Sequence, residues 1–293
     1  MTHTPRHEPV MTREALAFLQ PDKGGVFVDC TVGLGGHALA MLKAGATRII
    51  GLDRDPAALA MAAATLSAYR DRVELVHSDY RAVASVLDAR GIERVDGALA
   101  DMGLSSYQLE AEGRGFSFQR DDPLDMRMDT TSGPTAGELL RDASDTEIAD
   151  VIYKYGEERF SRRIARSIVQ ARESAPLETT SQLAAVVRRA VPRRGFTRID
   201  PATRTFQALR IWVNRELENI DSFLEVMTRR LKVGARLVVI TFHSLEDRIV
   251  KHTLRANAHV RVLTKKPITA LPEELDRNPR ARSAKLRAAE CIV

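Results

Sequence analysis

The chain has 293 residues, of which 44% are hydrophobic and 28% are charged, and its formal net charge is +5. This length can bury one large core or two smaller ones, and no apolar run approaches the length that spans a membrane. The polar segment from Met1 to Met11 is unlike a signal peptide, and Cys30 and Cys291 are too few for a disulfide scaffold or a cysteine zinc site. We therefore expect a cytoplasmic protein that binds no membrane and keeps both thiols reduced.

A glycine cluster follows the first predicted strand. An apolar run begins at Val26 and ends in Asp29, and the sequence Gly33-Leu34-Gly35-Gly36-His37 comes next. This order predicts a buried parallel strand that includes Cys30, a tight turn, and a helix that begins near His37. A second apolar run ends in Asp53, about twenty residues after the glycines, where an acid is placed to bind a ribose hydroxyl. The unit is typical of a nucleoside-cofactor site.

The glycine spacing alone leaves the cofactor open. It fits the dinucleotide-binding pattern of nicotinamide-dependent dehydrogenases and equally the glycine loop of class I methyltransferases, which bind S-adenosyl-L-methionine. Asp29 favours the methyltransferase, because a carboxylate repels a pyrophosphate but suits an amino group and a sulfonium. A third alternative is a purely structural glycine turn with no cofactor.

Strand and helix signals alternate through the first hundred residues. Helices are predicted over 55–69 and 81–90, and strands over 73–77 and 95–101, which indicates a parallel sheet with right-handed crossovers. The glycine- and proline-containing stretch 103–134 interrupts this rhythm as a long loop.

Helical signals dominate the middle of the chain. Capping-box patterns begin at Thr135, Ser144 and Thr179, and one long helix is predicted over 202–231. We assign residues 106–211 to an inserted helical domain for substrate recognition. Residues 1–105 and 212–293 then form one discontinuous α/β domain.

The sheet signals resume after the insertion. The strand over 235–242 is the most apolar of the chain, and the segments 260–264 and 285–293 can pair as an antiparallel hairpin. A Rossmann-like doubly wound sheet that closes with an antiparallel last strand is typical of class I S-adenosylmethionine-dependent methyltransferases. Dehydrogenases usually continue with parallel strands, so this pattern favours the methyltransferase.

Positive charge is concentrated in two stretches. Thirteen arginines against three acids give residues 159–215 a net charge of +10, and residues 255–287 carry +6. Segregation of this size predicts a surface for a polyanion, and beside a nucleoside-cofactor fold it favours nucleic acid. The alternative is that the arginines pair with acids on solvated faces.

Candidate site residues follow from the edge at which the parallel strands end. Gly35 and Gly36 are placed for the methionine part of the cofactor, Asp53 for the ribose, and Tyr80 for the adenine. Asp101 ends the fourth strand between cofactor and acceptor. Each position has a structural alternative: Asp53 as a helix cap, Tyr80 as a half-buried core aromatic and Asp101 as a turn former. The histidines have no ligand spacing, so no metal is expected.

Longer blocks of sequence carry a more specific signal. They are His7–Met11, Gly33–His37, Asp101–Ser106 with Gln108, Arg114–Phe118, Pro123–Asp129, Tyr155–Phe160, Pro201–Asn214, Phe242–Arg248 and Asn278–Ser283. Together they resemble the bacterial ribosomal RNA small-subunit methyltransferase H (MraW) family.

The resemblance implies N4-methylation of a cytidine in the decoding region of 16S rRNA, with S-adenosyl-L-methionine as cofactor and the small ribosomal subunit as partner. No stable protein partner is evident from the sequence. The cofactor contacts that it implies fall on Gly35, Gly36, His37, Asp53, Tyr80, Asp101 and Gln108. The strand end Asp101-Met102-Gly103-Leu104 lacks the prolines of amino methyltransferases that act on DNA, so Asp101 is a candidate catalytic acceptor rather than an assigned one. Phe116, Phe118 and Phe242 are candidates to stack on an unstacked cytosine. A dehydrogenase and a non-catalytic RNA-binding module remain the alternatives.

Overall fold

The computed structural model describes residues 9–192 and 199–293, which form two compact units. The first unit comprises Met1–Ser105 and Asn219–Val293, and the second comprises Ser106–Glu218. The insertion predicted from the sequence ends at residue 211, whereas the second unit ends at Glu218. Three arginines of the basic stretch, Arg193, Arg194 and Arg198, lie outside the described residues.

A mixed sheet forms the centre of the first unit. Its strands among the described residues are β1 (Val26–Asp29), β2 (Arg48–Asp53), β3 (Val73–His77), β4 (Val95–Asp101), β5 (Leu231–Thr241), β6 (Val260–Val262) and β7 (Lys285–Cys291). The strand order is β3-β2-β1-β4-β5-β7-β6. The first five strands of this order are parallel, and β7 is antiparallel to both β5 and β6. The predicted class I methyltransferase sheet with an antiparallel last strand is therefore confirmed.

Helices flank the sheet and make up most of the second unit. In the first unit they begin with α1 (Thr12–Leu19), α2 (Gly36–Lys43), α3 (Pro56–Thr65) and α4 (Val83–Asp88). The second unit contains α5 (Ser106–Glu110), α6 (Ala136–Asp142), α7 (Asp145–Gly156), α8 (Ser161–Ser174), α9 (Thr180–Ala190) and α10 (Ala202–Asn214). The first unit then continues with α11 (Ile220–Arg229), α12 (Ser244–Ala256) and α13 (Pro272–Arg277). Across the described part of the chain, none of these helices combines the length and the apolarity needed to cross a membrane.

The buried strands explain why the sequence signals were strong. Ile49, Ile50 and Leu52 on β2 are completely buried, as are the four residues Leu237–Ile240 on β5. Parallel strands with both faces covered are expected to show such continuous apolar runs. Cys30 immediately follows β1 instead of belonging to it, and both cysteines are buried free thiols as expected.

The prediction of one helix over 202–231 is wrong, because the chain breaks between α10 and α11. Arg215 and Asn219 both adopt left-handed backbone conformations, with φ of 49° and 59°. The buried side chain of Asn214 fixes the end of α10. Its amide nitrogen donates to the carbonyl of Met126 at 2.7 Å, and its oxygen accepts from the N–H of Met128 at 2.7 Å. These partners are far away in the sequence, so local periodicity did not reveal the break.

The predicted helix caps are present in different degrees. Thr135 with Glu138 and Thr179 with Gln182 form complete capping boxes at the starts of α6 and α9. Ser144 accepts only the N–H of Glu147, so the third pattern caps α7 without the reciprocal bond. The sequence pattern therefore located all three helix starts.

The role of Asn214 gives a prediction about stability. Asn214→Ala would leave the Met126 carbonyl and the Met128 N–H without this buried partner, so the free energy of unfolding should fall by about 2 kcal/mol. Denaturant unfolding followed by circular dichroism measures the change. Gln170→Ala, on an exposed position of α8, is the control and should change the value by less than about 0.5 kcal/mol. Equal values for the two variants would contradict the role of Asn214.

Candidate active site

Acidic residues end three neighbouring strands of the sheet. Asp29 ends β1, Asp53 ends β2 and Asp101 ends β4. The strand order reverses between β1 and β4, and ligands of open α/β sheets bind outside the carboxyl ends of the strands at such a reversal. The candidate site therefore lies at this edge, as the sequence predicted.

Two glycines of the loop after β1 are required by packing within the protein. Gly35 has a φ of 84°, and a Cβ there would lie 3.0 Å from Leu66 Cδ1. A Cβ on Gly36 would lie 2.9 Å from Pro9 Cγ. From the sequence, Gly35 and Gly36 were expected to lie against the methionine part of the cofactor. The nearest atoms in the structure belong to the protein instead, and they hold the loop against α3 and the N-terminal segment.

Asp53 ties the glycine loop to the start of the next helix. Its Oδ2 accepts the N–H of Gly33 at 2.8 Å, and its Oδ1 accepts the N–H of Asp55 at 2.9 Å. Burial raises the pKa of Asp53, and these two backbone hydrogen bonds oppose the rise. The cap of α3 is Asp55, whose side chain accepts the N–H of Ala57. Each oxygen of Asp53 keeps acceptor capacity, so contact with a ribose hydroxyl stays a prediction.

Asp29 is a buried carboxylate that lacks a full set of partners. Its side chain is completely buried, and Oδ1 accepts only a long bond of 3.3 Å from the N–H of Thr31. Oδ2 has no hydrogen-bond partner among the described residues. Burial raises the pKa of Asp29 to about 7, against the lowering effects of His37 and the Thr31 N–H. A cationic ligand would compensate the charge of a buried carboxylate that lacks hydrogen-bond partners.

Asp101 and His37 form an ion pair next to Asp29. His37 lies in the first turn of α2, and its Nε2 is 3.5 Å from Asp101 Oδ2, which is too long for a strong hydrogen bond. Burial lowers the pKa of His37, but its interactions with Asp101 and Asp29 outweigh this and raise it overall. The Asp101 N–H donates to Thr31 Oγ1 at 2.6 Å. Oδ1 of Asp101 is buried without a hydrogen-bond partner in the described part of the chain.

The charge of this edge discriminates between the cofactors that the sequence left open. Asp29 and Asp101 lie close to His37, and each has a buried oxygen without a hydrogen-bond partner among the described residues, while the charge near Asp53 includes Arg54. A nicotinamide dinucleotide would bring a pyrophosphate to these charges, which they would repel. The ammonium and sulfonium of S-adenosylmethionine would instead compensate them. The residues present therefore fit S-adenosylmethionine.

Tyr80 begins the short 3-10 helix Tyr80–Ala82 after β3. Its half-buried ring packs edge-on against Phe223 of α11, with 4.7 Å between the ring centroids. The Arg81 guanidinium lies 5.9 Å from the centroid of the Tyr80 ring. Tyr80 was predicted from the sequence, but Phe223 was not, because only the tertiary structure brings α11 to this ring.

The remaining candidates belong to different surroundings. Gln108 is buried on α5 of the second unit, so its contact with cofactor stays a prediction. Phe116 is buried, and Phe118 packs edge-on against Phe206 with centroids 4.9 Å apart. Phe242 is half-buried after β5, and a Cβ on Gly103 would lie 2.9 Å from its ring. Phe116 and Phe118 thus have packing roles, and Phe242 directly follows the last residue of β5.

The arginines of the second unit divide into a structural group and an exposed group. Arg210 makes a bidentate ion pair with Glu216. Arg188 pairs with Asp200, and its guanidinium lies over the ring of Phe118. Among the exposed arginines, Arg162, Arg163 and Arg166 lie together on α8 and make no ion pair with any described residue. We call these three residues the α8 arginines. The alternative that the arginines pair with acids therefore holds for the structural group but not for the α8 arginines.

The positions of two of the α8 arginines lower the stability of helix α8. Arg162 and Arg163 lie in its first turn, which contains no acidic residue and no side-chain cap. The helix dipole favours negative charge at this end, so cations there oppose it. A local conflict of this kind, without a compensating contact, is typical of a functional surface.

Comparison with known proteins identifies the family of the chain. The sequence profile of the MraW methylase family matches residues 4–292. "Ribosomal RNA small subunit methyltransferase H" of Sorangium cellulosum is 53% identical over 98% of this chain and 91% of the relative. Proteins of the same name from Geotalea uraniireducens and Thermotoga neapolitana are each 48% identical, over 98% and 99% of this chain and 98% and 97% of the relatives. The chain therefore belongs to the MraW methylase family and is an S-adenosylmethionine-dependent methyltransferase.

Proposed function

We propose that this methyltransferase modifies 16S rRNA of the small ribosomal subunit in the cytoplasm, at the N4 amine of a cytidine in the decoding region. The names of its relatives support the ribosomal RNA of the small subunit as substrate. The observation that carries the chemistry is the pair of buried carboxylate oxygens, on Asp29 and Asp101, that have no hydrogen-bond partner among the described residues and lie at the strand-order reversal. The choice of N4 rests on the resemblance of the sequence blocks to the family.

The cofactor would be held by residues from several strand ends. Asp29 and the loop with Gly35 and Gly36 would face its methionine part, while Asp53 would bind the ribose and Tyr80 would lie against the adenine. His37 and Gln108 complete the proposed contacts. S-adenosylmethionine, when bound, supplies an electrophilic methyl group on a sulfonium.

Asp101 is the proposed acceptor for the cytosine amine. The nitrogen lone pair of N4 is delocalised into the ring, and a carboxylate that accepts one of its hydrogens localises the pair for in-line attack. Oδ1 of Asp101 has this acceptor capacity because the ion pair with His37 engages only Oδ2. His37 would thereby help to orient the carboxylate.

The second unit is proposed to recognise the RNA. Its α8 arginines are exposed and without acidic partners among the described residues, which suits contact with phosphates. Tyr153 on α7 is 63% exposed and offers a ring on which an unpaired base can stack. These contacts would position the strand, while the target cytidine leaves its stack to reach the methyl group.

Methyl transfer tests the proposed function directly. We expect tritium from labelled S-adenosylmethionine to appear in the 16S rRNA of undermodified 30S subunits, in a nucleoside that co-migrates with N4-methylcytidine. Label in another nucleoside, or none in 30S subunits, would contradict the substrate assignment.

The raised pKa of Asp29 predicts how cofactor affinity depends on pH. Because the free carboxyl titrates at about 7 and a cationic ligand requires the ionised form, affinity should increase as the pH rises from about 6 to about 8. Binding should release a proton, which calorimetry in two buffers detects. Asp29→Asn should weaken binding and remove most of this dependence. His37→Gln is the comparison variant. If it reduces the pH dependence of cofactor affinity as much as Asp29→Asn does, the titrating group is His37.

Substitutions of Asp101 separate a role in chemistry from a role in cofactor binding. If the carboxylate acts on the amine, Asp101→Asn should lower the single-turnover rate at saturating cofactor by about 10²-fold, while cofactor affinity changes little. If it mainly holds the cofactor, affinity should fall and the saturated rate should recover. We expect both effects, with the larger one on affinity. If Asp101→Asn and Asp101→Ala both keep the wild-type cofactor affinity and the wild-type single-turnover rate, Asp101 acts neither on the amine nor on the cofactor.

The α8 arginines give a prediction about RNA binding. The variant Arg162→Gln/Arg166→Gln should raise the Kd for 16S rRNA about tenfold at physiological salt and flatten the salt dependence by about 1.4 in log–log slope. Its unfolding free energy should not fall, because no ion pair is lost. Lys43→Gln/Arg70→Gln removes two exposed charges from the first unit and should leave the slope nearly unchanged. A slope that differs little between the two variants would mean that the α8 arginines are only solvated.

A further inference from the structure

The second basic stretch, residues 255–287, also contains cations that lack acidic partners. Arg261 pairs with Glu290, and Arg287 pairs with Asp247. Lys265, Lys266 and Arg282 are exposed and make no ion pair with any residue that the structure describes. We call these three residues the basic edge. The structural pairs account for part of the positive charge of this stretch and leave the basic edge uncompensated.

The strand register places the basic edge beside the candidate active site. Asp101 on β4 is opposite Ile240 on β5, and Ile240 is opposite Leu286 on β7. Leu286 pairs in turn with Ile268, through hydrogen bonds of 3.0 and 2.8 Å between their backbones. One row of paired residues thus runs across the sheet from Asp101 to Ile268. At about 4.8 Å for each strand spacing, the row is about 14 Å long.

Each member of the basic edge lies at the end of the sheet that holds the active site. Lys265 and Lys266 precede Ile268 in the segment that leaves β6, and β6 runs towards the carboxyl end of β5. The carbonyl of Lys265 accepts a bond from Arg255 Nη2 at 3.3 Å, which holds this segment against the end of α12. Arg282 precedes β7, whose first residue is opposite Thr241 at the end of β5.

We propose that the basic edge binds phosphates of the RNA strand that flanks the target base, on the far side of Asp101 from the bound cofactor. This inference rests on the proposed function. A few nucleotides of single-stranded RNA cover a span of about 14 Å, and flexible lysines suit contact with the backbone regardless of base. The acids of the same stretch do not neutralise the basic edge, because the exposed Glu273 and Asp276 on α13 pair with none of its members. The first unit therefore contributes its own contacts with RNA phosphates, in addition to those of the α8 arginines.

Removal of two charges from the basic edge tests the proposal. In Lys265→Gln/Lys266→Gln, the KM for 30S subunits should rise about tenfold at physiological salt, and its salt dependence should flatten by about 1.4 in log–log slope. The kcat at saturating 30S subunits and the Kd for S-adenosylmethionine should stay at wild-type values, since neither lysine is placed at the reacting atoms.

A matched control removes the same charge from the opposite end of the sheet. Lys23 precedes β1, and Lys43 ends α2, which runs back from the glycine loop. Lys23→Gln/Lys43→Gln should leave the KM and its salt dependence nearly unchanged. An unchanged KM in the basic-edge variant, or an equal rise in both variants, would overturn the proposal. Failure of the wild-type protein to methylate 30S subunits would instead contradict the proposed function, and so the two failures are distinguishable.

Discussion

The burial of Asp29 without a full set of hydrogen bonds is the constraint on which the rest of the site depends. A carboxylate in an apolar surrounding either keeps a proton or requires a compensating cation. In this protein the nearby Asp53 and Asp101 add negative charge, and the single histidine of the cluster is already paired with Asp101. Within the described part of the chain, Asp29 therefore keeps an oxygen without a hydrogen-bond partner, in a cluster whose charge suits a cationic cofactor better than a pyrophosphate.

Much of the fold and of the site could be predicted because both depend on local signals. Apolar runs that end in Asp29, Asp53 and Asp101 located three strand ends, and parallel pairing necessarily brings those ends to one edge. The antiparallel β7 was predictable from an apolar segment of suitable length after a proline-containing stretch. With these signals the sequence distinguished a methyltransferase sheet from a dehydrogenase sheet.

The features that were not predicted depend on partners far away in the chain. The break after α10 requires hydrogen bonds between Asn214 and the segment near Met126, about ninety residues earlier, while the local periodicity continues through it. The ring of Phe223 reaches Tyr80 only in the folded sheet. The arginine stretch was recognised as a charge cluster, but its division into structural pairs and exposed residues required knowledge of which acids lie nearby.

The position of β7 has a consequence for the order in which the sheet assembles. β7 follows β6 in the sequence, yet it lies between β5 and β6 in the sheet. The short β6 therefore has no strand to pair with until β7 has arrived, and the apolar β5 keeps one open edge during synthesis. Closure of this part of the sheet must be a late, long-range event in folding. Because the same closure fixes the row from Asp101 to Ile268, that row of paired residues is complete only after β7 has joined the sheet.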